Sequence, residues 1–347
     1  MTTSYATHPR YAEHDLPGHP ESAERIRAVW RGLQESGLTA RLQSLDVHAL
    51  AADAALSVHT ADYLALLRRV SAINLSMSTT THLDPDTYAG PDAMTIALLS
   101  AGGTVGTVDS VLNGSAANGL AAVRPPGHHA MPSRAMGFCL LGNVAIAARH
   151  AQRRYGIGRV LIVDYDVHHG NGTEAMFYDD PSVLYVSTHQ YPFYPGTGAT
   201  TDIGTGRGDG YTINIPLPAG SGDANYTTVF QQIVWPAAER FDPQLILVSV
   251  GFDAYWSDPL AAMRLSLNGY SHLAGEVIRM AQRFCAGKVV FALEGGYNMD
   301  ALRYGVSNVA RLLLGDPPID PPGTRPDERP EPDIDALLSR LEHLHGL

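Results

Sequence analysis

The sequence predicts an α/β protein built on a doubly wound parallel sheet, and two observations carry that reading. Five short runs are apolar on both faces: GLAAV (119–123), RVLIVDY (159–165), VLYVSTH (183–189), LILVSVG (245–251) and KVVFALEGG (288–296). Around and between them, longer stretches at 91–112, 142–155, 225–240 and 269–286 have helical periodicity. Strands buried on both faces and separated by helices belong to a parallel sheet covered on both sides. Such sheets collect ligands at the carboxyl ends of their strands.

At the N-terminal end, Ser22 in GHPESAERIRAVWRGLQESG is positioned to cap a helix that ends at Gly37. Residues 1–315 read as one domain. Residues 316–333, rich in Pro and Asp, read as an extended linker. In 334–347, Ile334, Leu337, Leu338, Leu341 and Leu344 fall at helical spacing. This amphipathic helix docks on its own domain or, as the alternative, on a second subunit, so a homo-oligomer through loops or this helix is compatible with the sequence.

Composition narrows the function classes. With 45% apolar and 17% charged residues, the chain can bury a sizeable core. No uncharged apolar run of membrane-spanning length stands out, and the first residues lack a secretory layout. Two cysteines, Cys139 and Cys285, make neither a disulfide framework nor a CxxC zinc pattern, which suits a reducing cytoplasm. A net charge of −11 argues against nucleic acid as a partner. It suits cationic ligands such as polyamines or basic peptides, although acidity also serves ordinary solubility.

Four strand candidates run directly into unusual polar chemistry. RPPGHHA carries His128 and His129; DYDVHHGNG carries Asp164, Asp166, His168, His169 and Asn171; GFDAYWSDPL carries Asp253 and Asp258; LEGGYN carries Glu294 and Tyr297. Strand alternation turns Asp166 and His168 to one side, with Asp164 below them and His169 turned away. Asp253 adds a second carboxylate. Three O/N ligands with an open position describe a catalytic zinc site, and Fe(II) or Co(II) fits nearly as well. His128 and His129 are further ligands or acid–base groups. As acid–base groups they need partners, and Asp164 and Asn171 are at hand. Tyr297, after two glycines, can donate to a developing oxyanion. The chemistry implied is metal-assisted amide hydrolysis, in which a histidine takes the proton of the attacking water.

The segments RPPGHHA, GFCLLGNVAIAA, DYDVHHGNGT, PGTGA, GFDAYWSDPL and LEGGYN resemble the zinc-dependent histone deacetylase family. The likeness is to its class II branch and to the bacterial histone deacetylase-like and acetylpolyamine amidohydrolases, over roughly 8–312. It implies the arginase/deacetylase fold, a single parallel eight-stranded sheet flanked by helices on both faces. It assigns zinc to Asp166, His168 and Asp253, and catalysis to His128, His129 and Tyr297, with Asp164 behind His128 and Asn171 behind His129. It implies potassium beside the zinc, at Asp164, Asp166, His168, Ser187 and Thr188, and a second potassium near Phe177, Asp180, Val183 and Tyr211. The substrate tunnel falls to Phe138, Tyr194 and Gly137, with Leu260 and Asp86 at its rim, and Arg25 to an inner cavity through which acetate leaves. Tyr194 departs from the usual Phe.

Removal of acetyl or another short acyl group from acylated lysine side chains is the first functional reading. Acetylpolyamine hydrolysis is the alternative, because Leu260 stands where polyamine specialists carry Glu. An arginase-like dimanganese enzyme would need Asp and His ligands that are missing here, and a non-catalytic module would be expected to have lost a ligand or Tyr297. Neither nucleic acid nor a membrane is an expected partner.

Overall fold

The apolar runs assemble into one sheet in the computed structural model, which describes residues 2–323 and 329–347. In chain order the first elements are β1 (Thr3–Ala6), α1 (Ala23–Glu35), β2 (Gln43–Ser44), α2 (Ala61–Met77), β3 (Thr81–His82) and β4 (Tyr88–Ala89). There follow α3 (Ala93–Leu112), β5 (Asn118–Ala121), α4 (Asn143–Tyr155), β6 (Val160–Asp164), α5 (Asn171–Phe177), β7 (Val183–Gln190) and β8 (Thr212–Leu217). The remainder comprises α6 (Asp223–Val229), α7 (Trp235–Phe241), β9 (Leu245–Val250), α8 (Leu267–Phe284), β10 (Val289–Leu293), α9 (Met299–Leu314) and α10 (Asp335–His345).

The main sheet has eight strands in the order β2-β1-β5-β10-β9-β6-β7-β8, all parallel. α3 and α4 cover one face, and α1, α8 and α9 the other. β6, β9 and β10 are buried along their whole length, as their unbroken apolar runs require. The four strands flagged by their polar ends, β5, β10, β9 and β6, are consecutive neighbours in the middle of the sheet. Their carboxyl ends therefore open onto one place.

Three strands had no clear signal in the sequence. β1 and β2 are four and two residues long, too short for a pattern. β8 reads TINIPL, and its Pro216 is tolerated because β8 is an edge strand. The expected helix at 225–240 is real but interrupted by a π-helical turn over Phe230–Val234. α3 is long and apolar enough to span a membrane by composition. Its residues are buried on nearly all sides between the sheet and α4, which makes it a core helix.

Two local expectations change. Ser22 stands at the α1 N-cap, but its side chain makes no capping bond; the Asp15 carboxylate accepts the Ala23 N–H instead, at 2.8 Å. At the far end, α10 packs on the π-turn and β8. Ile334, Leu338 and Leu341 join the core, with Leu337 partly covered. Of the 316–333 segment, residues 324–328 lie outside the described residues. Beyond them, Glu331 accepts the N–H groups of Gly222, Ala224 and Asn225.

Candidate active site

β6 ends at Asp164, so Asp166 and His168 stand on the loop beyond it rather than on the strand. Their shared orientation comes from hydrogen bonding, not from pleat alternation. Asp164 Oδ1 accepts Asp166 N–H at 3.2 Å, Asp166 Oδ1 accepts His168 N–H at 2.9 Å, and Asp253 Oδ1 accepts Val167 N–H at 3.0 Å. Tyr165 and Val167 point into the core. His169 turns away as expected, bonding Thr197 Oγ1 at 2.8 Å and Glu174 Oε2 at 3.0 Å.

Asp166, His168 and Asp253 meet with one ligand atom each within 4.8 Å of the others. His168 Nδ1 lies 3.1 Å from Asp166 Oδ1 and 3.2 Å from Asp253 Oδ2. One ring N–H cannot bond both carboxylates well, whereas a cation among them satisfies all three groups. Burial and the adjacent Asp166 carboxylate push the Asp253 carboxyl up, a repulsion that a divalent cation relieves. The donor set therefore fits zinc. Gly295 is required here: a β-carbon on it would overlap Asp253 Oδ2 and Asp166 Oδ2, and its N–H donates to Asp166 Oδ2 at 2.8 Å.

The two adjacent histidines have different partners. His128 Nδ1 faces Asp164 Oδ2 at 3.2 Å, and Tyr185 donates its hydroxyl to the same oxygen at 3.1 Å. His129 Nδ1 faces Asn171 Oδ1 at 2.8 Å. Burial opposes charge on His128, but the Asp166 and Asp164 carboxylates outweigh it and raise it to about 10. For His129 burial, then the neighbouring His128 and His168, hold it well below the ordinary histidine value. The environment thus favours charge on one imidazole and neutrality on the other, and a divalent cation on Asp166 would weaken the pull on His128. The loop carrying them is held from below by Glu294, whose Oε2 accepts Gly127 N–H at 2.6 Å and His128 N–H at 3.1 Å.

Above the metal-binding trio a narrow pocket is lined by both histidines, His168, Gly137, Phe138, Tyr194 and Tyr297, with Asp86 and Leu260 also on its wall. Phe138 stands edge-on to Tyr297 at 5.8 Å between ring centroids, and Tyr194 edge-on to His129 at 5.2 Å. Gly137 has φ +56°, and a side chain there would collide with the His129 ring. Arg25, fully buried, lies beneath this pocket with its guanidinium 4.9 Å from the Tyr297 ring. It donates to the Gly296 and Glu294 carbonyls.

The residues expected around potassium fall into two groups. Asp164 is paired with Ser187 across β6 and β7, and the buried Thr188 Oγ1 next to it has no hydrogen-bond partner. Phe177, Asp180, Val183 and Tyr211 gather where α5 leads into β7. There Phe177 O accepts from Asp180, Asp180 O from Val183, and Tyr211 O from Tyr185.

Sequence reasoning missed several contributors. Phe193 stacks on His168 with 5.4 Å between centroids. His19 stands edge-on to Phe138 at 4.7 Å and bonds the Asp86 carbonyl. Glu21 is wholly buried between Arg25 and Arg124. These residues come from distant segments, and only the RPP preceding the histidines hinted at Arg124. Asp258 and Glu294 were noticed as strand-end acids but given no role.

A model of the histone deacetylase domain matches residues 19–313. Histone deacetylase 14, chloroplastic, of Arabidopsis thaliana is 40% identical over 96% of this chain and 82% of its own length. The histone deacetylase-like amidohydrolase of Pseudomonas aeruginosa is 43% identical over 81% of this chain and 73% of its own. Polyamine deacetylase HDAC10 of Mus musculus is 39% identical over 86% of this chain and 45% of its own. The solved HD domain of HDA15 superimposes with TM-score 0.88 and 33% identity, covering 99% of this chain and 96% of that one. On this agreement of sequence, fold and site geometry, the chain belongs to the zinc-dependent histone deacetylase family and is a deacetylase.

Proposed function

We propose that this deacetylase hydrolyses the amide of acylated lysine side chains, with acetyl or another short acyl group leaving as the acid. The observation that carries the proposal is the narrow aromatic pocket ending on the buried trio Asp166, His168 and Asp253. Its lining suits a thin alkyl chain, with Phe138, Tyr194 and Leu260 as apolar contacts on its wall. A zinc ion held by the trio supplies Lewis-acid polarisation of the amide carbonyl and acidifies a water. Potassium at the Asp164–Thr188 site is supported by the orphaned Thr188 hydroxyl, and a second potassium near Phe177 and Tyr211 rests on the family resemblance.

The chain's own groups then divide the work. An acceptor oxygen on Asn171 requires the proton of His129 to sit on Nδ1, which leaves the Nε2 lone pair facing the pocket. His129 takes the proton of the attacking water and hands it to the leaving nitrogen. His128, bonded to Asp164 at 3.2 Å, stands beside His129 on the pocket wall. The Tyr297 hydroxyl donates to the oxyanion, and Arg25 beneath its ring supports it.

Acetylpolyamine hydrolysis is the second reading. It is favoured by the acidic rim, where burial and then the neighbouring Asp84 push the Asp86 carboxyl up; a distal ammonium would relieve that repulsion. Kinetics of zinc-loaded protein on acetyl-lysine peptides and on N-acetylated putrescine, cadaverine and spermidine decide between them. An advantage of about 100-fold or more in kcat/KM for a polyamine, on the order of 2.7 kcal/mol, overturns the first reading. Stripping the metal with a chelator is expected to abolish turnover, and Zn2+ to restore it. Full turnover by metal-free protein would refute the site.

A further inference from the structure

The loop leaving Asp253 carries Asp258, a residue only 7% exposed, and reaches the pocket wall at Leu260. Its carboxylate makes three bonds, all to main-chain N–H groups. Oδ1 accepts Leu260 at 2.9 Å, on the pocket rim. Oδ2 accepts Tyr297 at 2.7 Å and Asn298 at 3.0 Å. One side chain therefore joins two segments that are distant in sequence, one carrying the rim and the other the tyrosine.

The peptide entering Tyr297 is held at its carbonyl by Arg25, 2.7 Å from Gly296 O, and at its N–H by Asp258. Gly295 and Gly296 precede Tyr297, Gly296 at φ +115°, so the chain entering the tyrosine is intrinsically permissive. After it, Asn298 caps α9 by accepting the Asp300 and Ala301 N–H groups at 3.0 Å. The Asp258 carboxylate lies just ahead of that helix N-terminus, where negative charge is favoured. The Tyr297 ring rests on Arg25 and Phe138, and neither contact sets how far the hydroxyl reaches into the pocket.

We propose that Asp258 is the positioning residue for Tyr297, fixing the reach of its hydroxyl and tying it to the substrate rim at Leu260. This rests on the reading of Tyr297 as the oxyanion donor. A carboxylate is needed because its two oxygens serve both arms. An asparagine has one oxygen, so its NH2 must face an N–H donor on one arm or the other.

The test is a double-mutant cycle on an acetyl-lysine peptide with zinc-loaded, full-length protein. Asp258→Asn is expected to lower kcat by about tenfold to 100-fold while KM moves by less than about threefold. In the Tyr297→Phe background the same substitution is expected to cost less than about threefold, because the hydroxyl it positions is already gone. Asp258→Glu, which keeps both oxygens on a longer arm, should recover part of the loss. It also serves as the comparator should the asparagine variant melt early. Equal losses in both backgrounds, or wild-type kcat in Asp258→Asn alongside an impaired Tyr297→Phe, overturn the inference and leave the tyrosine's role standing. Wild-type turnover by Tyr297→Phe alone overturns both.

Discussion

The amide oxygen of Asn171 lies 2.8 Å from Nδ1 of His129. The same amide turns its NH2 toward the sulfurs of Met131 and Met136, so the oxygen is the end presented to the imidazole. A neutral acceptor here fixes the tautomer and stabilises an imidazolium less than a carboxylate would. The charged counterpart, Asp164, serves His128 instead.

Exchanging that neutral acceptor for a charged one is therefore expected to retune the base. Asn171→Asp should stabilise protonated His129, so that the neutral form is reached only at higher pH. The acid limb of the kcat/KM profile should move up by about one unit or more. An acid limb that does not move would show that His129 is not the titrating base.

Tyr194 lines the pocket, at a position where the family resemblance leads one to expect Phe. Its hydroxyl is expected to tune acyl preference, and Tyr194→Phe should alter the ratio of rates on acetyl and longer acyl substrates. Identical acyl profiles for the two proteins would remove the tyrosine from the specificity determinants.

Glu21 is 0% exposed and bonds both Arg25 and Arg124. Burial works against its charge, yet the Arg124 and Arg25 guanidiniums hold its carboxyl below the usual range. Removing one partner of a buried charge group costs about 3–5 kcal/mol, because the remaining charges stay buried. Glu21→Gln should lower Tm clearly and weaken activity through Arg25. A denaturation midpoint equal to wild type would contradict this account.

Mild acid should destabilise the fold through histidines buried in neutral form. Burial, and then Arg124, lowers His14 to about 3. Burial alone lowers His59 to about 4, and burial with Arg240 lowers His345 to about 4. Each folded value lies below the unfolded one near 6.5, so the unfolded chain binds more protons as pH falls. The stability is fully present above about pH 6.5 and is lost on the way down to about pH 4. Urea midpoints at pH 7.5 and 5 should show the fall. His345→Phe should flatten it, since neither ring nitrogen of His345 has a hydrogen-bond partner. A pH dependence unaltered by that substitution would exclude His345 as a contributor.

What could be read in the chain and what could not follows from the range of the forces involved. The apolar runs of β6, β9 and β10 declare themselves because a strand buried on both faces has no polar alternative. The ligands Asp166 and His168 sit two residues apart on one loop, and Asp253 and Tyr297 stand out as polar groups at the ends of other apolar strands. In the main sheet, β1 and the edge strands β2 and β8 give no clear pattern, being short or interrupted by proline. Asp166 and His168 are aligned by carboxylate–backbone bonds beyond the strand, which no alternation rule describes. Glu21, Phe193, Asp258 and Glu294 act on partners brought near only by the order of the sheet. By itself, the sequence determined the parallel α/β class, the residues crowding the strand ends and the family. Only the tertiary structure decided how Asp166 and His168 are aligned beyond the strand, and that one buried acid joins the rim to the tyrosine. Local patterning specifies elements and short-range clusters, whereas pairings between distant segments depend on the packed geometry.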